Sequence, residues 1–176
     1  AERASVAYEE SRATIQKFLN AKHPHEIIFT KNCTESINLV AHSFGETLQN
    51  GDTVLLSYLE HHSNIVPWLQ LKERKAINIE WIEIDEEGHI NLSQYQKLLE
   101  EKNVKLVAIT GQSNVIGVRP QIKKMTDDAH AHGARVIVDA AQLVAHHSID
   151  VQELDCDFLA FSGHKMYGPS GIGVLY

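Results

Sequence analysis

Val104-Lys105-Leu106-Val107-Ala108-Ile109-Thr110 is followed by a stretch from Gln121 to His132 with apolar residues at helical spacing. Then comes Arg135-Val136-Ile137-Val138-Asp139. A short apolar run, an amphipathic helix and a second short apolar run make the unit from which parallel sheets are built. The same alternation continues outward in both directions. Toward the amino end, strands are expected at Ile77 to Ile84, Thr53 to Ser57 and Ile27 to Thr30. Toward the carboxyl end they are expected at Phe158 to Phe161 and Gly173 to Tyr176. Helical patterns at Ala4 to Leu19, Thr34 to Leu48, Asn64 to Arg74 and Ser93 to Glu101 fill the intervals. The sequence therefore predicts an α/β fold of three layers, with a mostly parallel seven-stranded sheet and helices on both faces. Gly51-Asp52, Glu87-Gly88 and Gly133 mark turns or helix ends, and no low-complexity tract or repeat divides the chain.

Composition limits what such a fold can do. The 176 residues are 43% hydrophobic and 22% charged, as expected of one globular domain. A formal net charge of -7 argues against nucleic acid as a partner, because neutralising phosphates requires an excess of Lys and Arg. No apolar run approaches the roughly 20 residues that span a bilayer, and the opening residues lack the order of a signal peptide. A cytoplasmic setting without membrane contact is the expectation. Cys33 and Cys156 are expected to be free thiols. The eleven histidines show no metal-ligand spacing, so no metal site is expected.

In open parallel sheets ligands gather beyond the carboxyl ends of the strands. Five of the seven expected ends are chemically loaded: Lys31 to Ser36, Glu60-His61-His62, Ser113-Asn114, Asp139 with Gln142, and Ser162-Gly163-His164-Lys165. Thr34 stands at a helix start, where free N–H groups and the helix dipole suit an anion such as phosphate; an ordinary N-cap is the competing reading. Asp139 ends an apolar run, where a carboxylate needs a cationic partner or a turn to cap. Lys165 lies in a Gly-, Ser- and His-containing turn after an apolar strand. That setting suits an amine able to form a Schiff base, although most loop lysines are only solvated.

Five ordered phrases extend these readings. They are Phe29-Thr30-Lys31-Asn32-Cys33-Thr34-Glu35-Ser36-Ile37-Asn38, Glu60-His61-His62-Ser63-Asn64-Ile65-Val66-Pro67-Trp68, Ser113-Asn114-Val115-Ile116-Gly117, Val138-Asp139-Ala140-Ala141-Gln142, and Phe161 through Tyr176. Together they resemble the cysteine desulfurases and selenocysteine lyases of the class V aminotransferase superfamily, enzymes of pyridoxal phosphate (PLP) with fold type I. The resemblance implies that residues 1–176 form the PLP-binding large domain. It implies Lys165 as the lysine that carries the cofactor and moves the substrate α-proton, and Asp139 as the partner of the pyridine nitrogen. Gln142 would bond the phenolic oxygen, His62 would stack on the ring and act as acid or base, and Thr34, Ser162 and His164 would hold the phosphate. Cys33 is assigned to the phosphate end through its backbone N–H, and Asn114 lies near the cofactor oxygen and the substrate carboxylate.

The implied reaction takes sulfur from L-cysteine, leaving alanine, and passes it through an enzyme persulfide to an acceptor protein for iron–sulfur cluster assembly. L-Selenocysteine is the alternative substrate, and a homodimer is expected. The family usually has threonine where Cys33 stands. The chain ends within a strand pattern, and the resemblance places the sulfur-accepting cysteine and the carboxylate-binding arginine in a C-terminal small domain beyond it. An N-terminal segment is expected to be missing as well. The piece is therefore expected to be a fragment without appreciable turnover. Another class V enzyme, such as an aminotransferase, and a non-catalytic fold module both stay open.

Overall fold

The computed structural model describes residues 2–176. Its centre is a seven-stranded sheet of order β1-β7-β6-β5-β4-β2-β3. The strands are β1 (Ile28–Thr30), β2 (Thr53–Ser57), β3 (Asn78–Ile82), β4 (Val104–Thr110), β5 (Arg135–Asp139), β6 (Phe158–Ser162) and β7 (Gly173–Leu175). The pairs from β3 through β6 are parallel, whereas β7 runs antiparallel to both β6 and β1. Two reversals restore direction, so β1 points the same way as β6 and its carboxyl end reaches the same rim. Thr30, Gly173 and Ser162 stand level there, and Asp139 and Thr110, level with each other, end the next two strands, β5 and β4.

The central strands β2, β4, β5 and β6 are mostly apolar because both sides of the sheet are covered there. Leu55, Val107, Ile109, Val136, Val138, Leu159 and Phe161 face one core, together with Tyr95, Leu99, Met125 and Ala129 from α4 (Leu92–Glu101) and α5 (Ile122–Ala131). The alternate residues Val54, Leu56, Leu106, Ala108, Ile137 and Ala160 face a second core. Ile37, Val40, Trp68 and Leu71 from α2 (Cys33–Ser43) and α3 (Val66–Lys75) complete it. This two-residue alternation between cores is the strand period written in side chains. The long helix α1 (Glu2–Phe18) buries none of its residues, and a single turn, α6 (Val151–Leu154), is an addition to the expected elements.

Two expected helices are shorter than their apolar patterns. The one expected over Thr34 to Leu48 starts at Cys33 and ends at Ser43, tightening into a 3-10 turn over Phe44–Thr47. That turn brings Gly45 against Leu71, where a Cβ would come within 2.7 Å of the leucine side chain. The helix expected from Asn64 begins at Val66, after a 3-10 turn over His62–Asn64. At the other end of the sheet Gly173 permits a close approach: a Cβ there would lie 2.5 Å from the backbone of Asn32. The start of α2 thus sits directly against the start of β7, which fixes the helix terminus at the rim.

Candidate functional site

The carboxyl ends of β4, β5 and β6, the start of α2 and the turn after β2 enclose one cleft of about 710 Å³, counted to its open mouth. Thr34, Asn114, Asp139, Gln142, Ser162, His164 and Lys165 all line it, as do His61, Ser63 and Gln112.

Asp139 forms its inner end. The residue is 4% exposed. Its Oδ1 accepts from the Cys33 thiol at 3.3 Å and from the Ala141 amide at 3.0 Å, and its Oδ2 accepts from Ser63 Oγ at 3.3 Å. All three donors are neutral, and among the described residues no Lys, Arg or His makes an ion pair with it. A carboxylate removed from water and given only weak neutral donors retains a demand for positive charge.

Cys33 is placed differently from the sequence expectation. Its backbone N–H, expected to face a phosphate, is donated to Ser162 Oγ at 2.8 Å, and its thiol turns to Asp139. The cause is its position as the first residue of α2, wedged against the end of β6. Burial, then the neighbouring Asp139 charge, push the thiol well above its ordinary value. Asn32 caps the helix by accepting the Glu35 amide at 2.8 Å. Thr34 N–H is thereby left as the first-turn donor without a protein partner among the described residues.

His62 is a second correction. It lies outside the cleft, whereas His61 lines it. His61 caps the 3-10 turn with its own ring: Nδ1 accepts the Ser63 amide at 3.2 Å and lies 2.9 Å from Ser63 Oγ. Holding the ring over the turn aims His61 inward, and the next residue necessarily points elsewhere. Adjacent histidines carry no sequence signal that distinguishes them; the Ser two residues after His61 is the cue that the turn needs this cap.

Behind the cleft wall lies Glu60, to which the sequence reading gave no role. Its Oε1 accepts from Ser57 Oγ at 2.5 Å and from the Thr110 amide at 2.9 Å, and its Oε2 accepts from Asn64 Nδ2 at 2.7 Å. Burial drives its carboxyl up to about 8, against the opposing pull of these hydrogen bonds and with a further push from the Asp139 charge. The spacing Glu60, Asn64, Trp68 was the available signal: Trp68 Nε1 donates to Asn64 Oδ1 at 3.2 Å, continuing the series.

Gln112 contributes the one buried side-chain polar atom without a partner among the described residues, its Oε1. An orphan acceptor beside an unneutralised carboxylate is a cost to the empty fold, and such costs mark places where a ligand supplies the missing groups. No group of three or more metal-ligating side chains exists among the described residues. No described helix is long and apolar enough to cross a membrane.

The family model for aminotransferase class-V matches residues 1–176. The chain belongs to the class-V aminotransferase family. A curated relative from Dickeya dadantii, "Cysteine desulfurase", is 48% identical over 175 residues, covering 99% of this chain and 42% of the relative. Among solved structures, the apo cysteine desulfurase from Thermococcus onnurineus NA1 matches with a TM-score of 0.95 at 43% identity, covering 99% of this chain and 43% of that one. The cysteine desulfurase CsdA from Escherichia coli, solved as its S-sulfonic acid, gives a TM-score of 0.89 at 39% identity, covering all of this chain and 44% of that one. The chain thus spans well under half the length of these family members. The class-V family and its cysteine desulfurases depend on PLP.

Proposed function

We propose that this chain is the PLP-binding large domain of a cysteine desulfurase, an enzyme that takes sulfur from L-cysteine and leaves L-alanine. The observation that carries the reading is Asp139: a buried carboxylate with neutral donors only, opening into the same cleft as Lys165. A protonated pyridine nitrogen supplies the charge that Asp139 lacks. Bound in this cleft, PLP supplies an electron sink for charge developing at the substrate α-carbon.

The chain's own residues do the rest. Thr34 offers its hydroxyl and its free amide at the positive end of α2, a setting suited to a phosphate. Ser162, which accepts the Cys33 amide, keeps its hydroxyl proton to donate, and His164 adds a ring N–H on the same side. Gln142 and Gln112 serve the polar edge of the ring, and Asn114 the substrate carboxylate. His61, which lines the cleft, would take the contact with the cofactor that the resemblance gave to His62. Lys165, which lines the same cleft, would hold the cofactor and would move the proton at the substrate α-carbon.

The thiol that accepts sulfur is assigned to neither cysteine present. Cys33 is committed to Asp139, and burial with the Asp157 charge pushes Cys156 up to about 12. A buried thiol that stays protonated is a poor nucleophile. The same reading extends to a cytoplasmic homodimer that passes sulfur to an acceptor protein for iron–sulfur cluster assembly, with L-selenocysteine as a competing substrate.

The test is direct. PLP added to the purified chain should give a visible absorption band, and borohydride treatment followed by peptide mass spectrometry should place the adduct on Lys165. Lys165→Ala should abolish both. A band of equal strength in Lys165→Ala, or an adduct on another lysine, would remove the assignment. With L-cysteine the chain alone is expected to form no alanine above the Lys165→Ala control.

A further inference from the structure

We propose that Glu60 is a positioning residue of the cleft, an acid behind its wall that fixes the turn presenting His61 and Ser63. The proposal deepens the cofactor reading and rests on it for its binding readout. Glu60 touches no cleft volume itself. Its carboxyl ties together three elements: Ser57 at the end of β2, the Thr110 amide at the end of β4, and Asn64 in the 3-10 turn.

That turn carries everything this side of the cleft contributes. Asn64, 0% exposed, closes it, with its backbone N–H donated to the His61 carbonyl at 2.8 Å. His61 and Ser63 are bonded to each other within it, and Ser63 reaches Asp139 at 3.3 Å. Pulling Asn64 toward β4 therefore sets where Ser63 meets Asp139 and where the His61 ring lies. The hydrogen-bond direction is enforced from the far side. Trp68 donates to Asn64 Oδ1, so Asn64 can present only its NH₂ to Glu60, and the group at position 60 must accept on that side.

This direction makes the proposal separable from simple loss of packing. In Glu60→Gln the amide oxygen can still accept from Ser57 and Thr110, but its NH₂ then meets the NH₂ of Asn64, donor against donor. Adding Asn64→Asp repairs the pair: one carboxylate oxygen accepts from residue 60 and the other keeps the Trp68 indole N–H. Glu60→Gln and the double variant differ only at residue 64, whose other side-chain partner, Trp68, keeps an acceptor oxygen in both.

Two measurements decide it. The first is the dissociation constant and visible circular dichroism of bound PLP in wild type, Glu60→Gln and Glu60→Gln/Asn64→Asp, with thermal unfolding as the control for folding. Glu60→Gln is expected to fold, to bind PLP about tenfold more weakly, as losing one buried hydrogen bond implies, and to show an altered dichroic band. The double variant should recover most of both. The second measurement needs no cofactor: the His61 ring and Ser63 amide resonances should move in Glu60→Gln and return in the double variant. Unmoved resonances, or a folded double variant with no recovery, overturn the proposal. A wild-type chain that gives no visible band sinks the cofactor reading instead, and the resonances still decide the role of Glu60.

Discussion

Asp139 and Asp157 are both withdrawn from water, and the structure treats them in opposite ways. Asp157 lies just before β6, at the amino rim of the sheet, with its side chain 10% exposed. Arg135 Nη1 reaches it at 2.6 Å, His130 Nε2 at 2.8 Å and the Val136 amide at 2.8 Å. Asp139, at the carboxyl rim, receives a thiol, a hydroxyl and an amide at 3.0 to 3.3 Å. One carboxylate is neutralised from within and staples β5 to β6. The other is left short of positive charge, facing a cleft that a cationic ring can enter. Enclosed acids occur in both structural and functional settings, and the presence or absence of an internal cation separates the two here.

Substitution at the two sites should therefore have opposite signatures. Asp139→Asn is expected to weaken PLP binding roughly 100-fold or more, the cost of removing one member of a buried charge pair. It should leave thermal stability nearly unchanged, because no ion pair inside the protein is lost. Spectrophotometric titration beside a thermal melt checks both halves, and a variant that loses stability but binds normally would erase the contrast. Asp157→Asn should do the reverse, lowering stability by about 1–3 kcal/mol in a urea titration, a figure discounted because Arg135 is largely solvated. PLP affinity should stay at the wild-type value.

Glu60 gives the smallest effect and a sign that can be worked out. Its folded carboxyl titrates near 8 against an ordinary 4.5, so the folded state holds this proton more tightly than the unfolded chain. The associated stability is fully present below about 4.5, declines as pH rises through this window and is gone above about 8. The slope is at most about 1.4 kcal/mol per pH unit before solvent screening. In thermal melts from pH 5 to pH 8, wild type should lose its advantage over Glu60→Gln steadily. A difference independent of pH would show that Glu60 is ionised throughout.

The contrast also explains what the sequence could disclose. The sheet was legible because strands covered on both faces must be apolar at consecutive positions, as Val136-Ile137-Val138 and Val107-Ala108-Ile109 are. Asp139 stood out because a carboxylate directly ending such a run is unusual, and Lys165 because it lies in a Gly-, Ser- and His-containing turn just beyond one. Cys33 was misplaced because its partners, Asp139 and Ser162, are more than a hundred positions away, and no local pattern encodes a contact of that range. His61 and His62 are equivalent as letters; only the 3-10 turn, with Ser63 returning its amide to His61, makes them different. Glu60 escaped because one of its donors is the backbone amide of Thr110, a group that every residue other than proline possesses.

The antiparallel strand β7 has a consequence for how the chain is made. Among the described residues β1 pairs only with β7, so residues 28–30 have no strand of this sheet to join until residues 173–175 have emerged from the ribosome. At 5–20 residues per second that delay is roughly 7–30 s. Throughout it the nascent chain must carry Ile28 and Phe29 unpaired, and the start of α2 waits with them. Assembly of the rim that holds Cys33 against Ser162 thus waits for β7, and the interval is an opening for a chaperone that shields extended apolar segments.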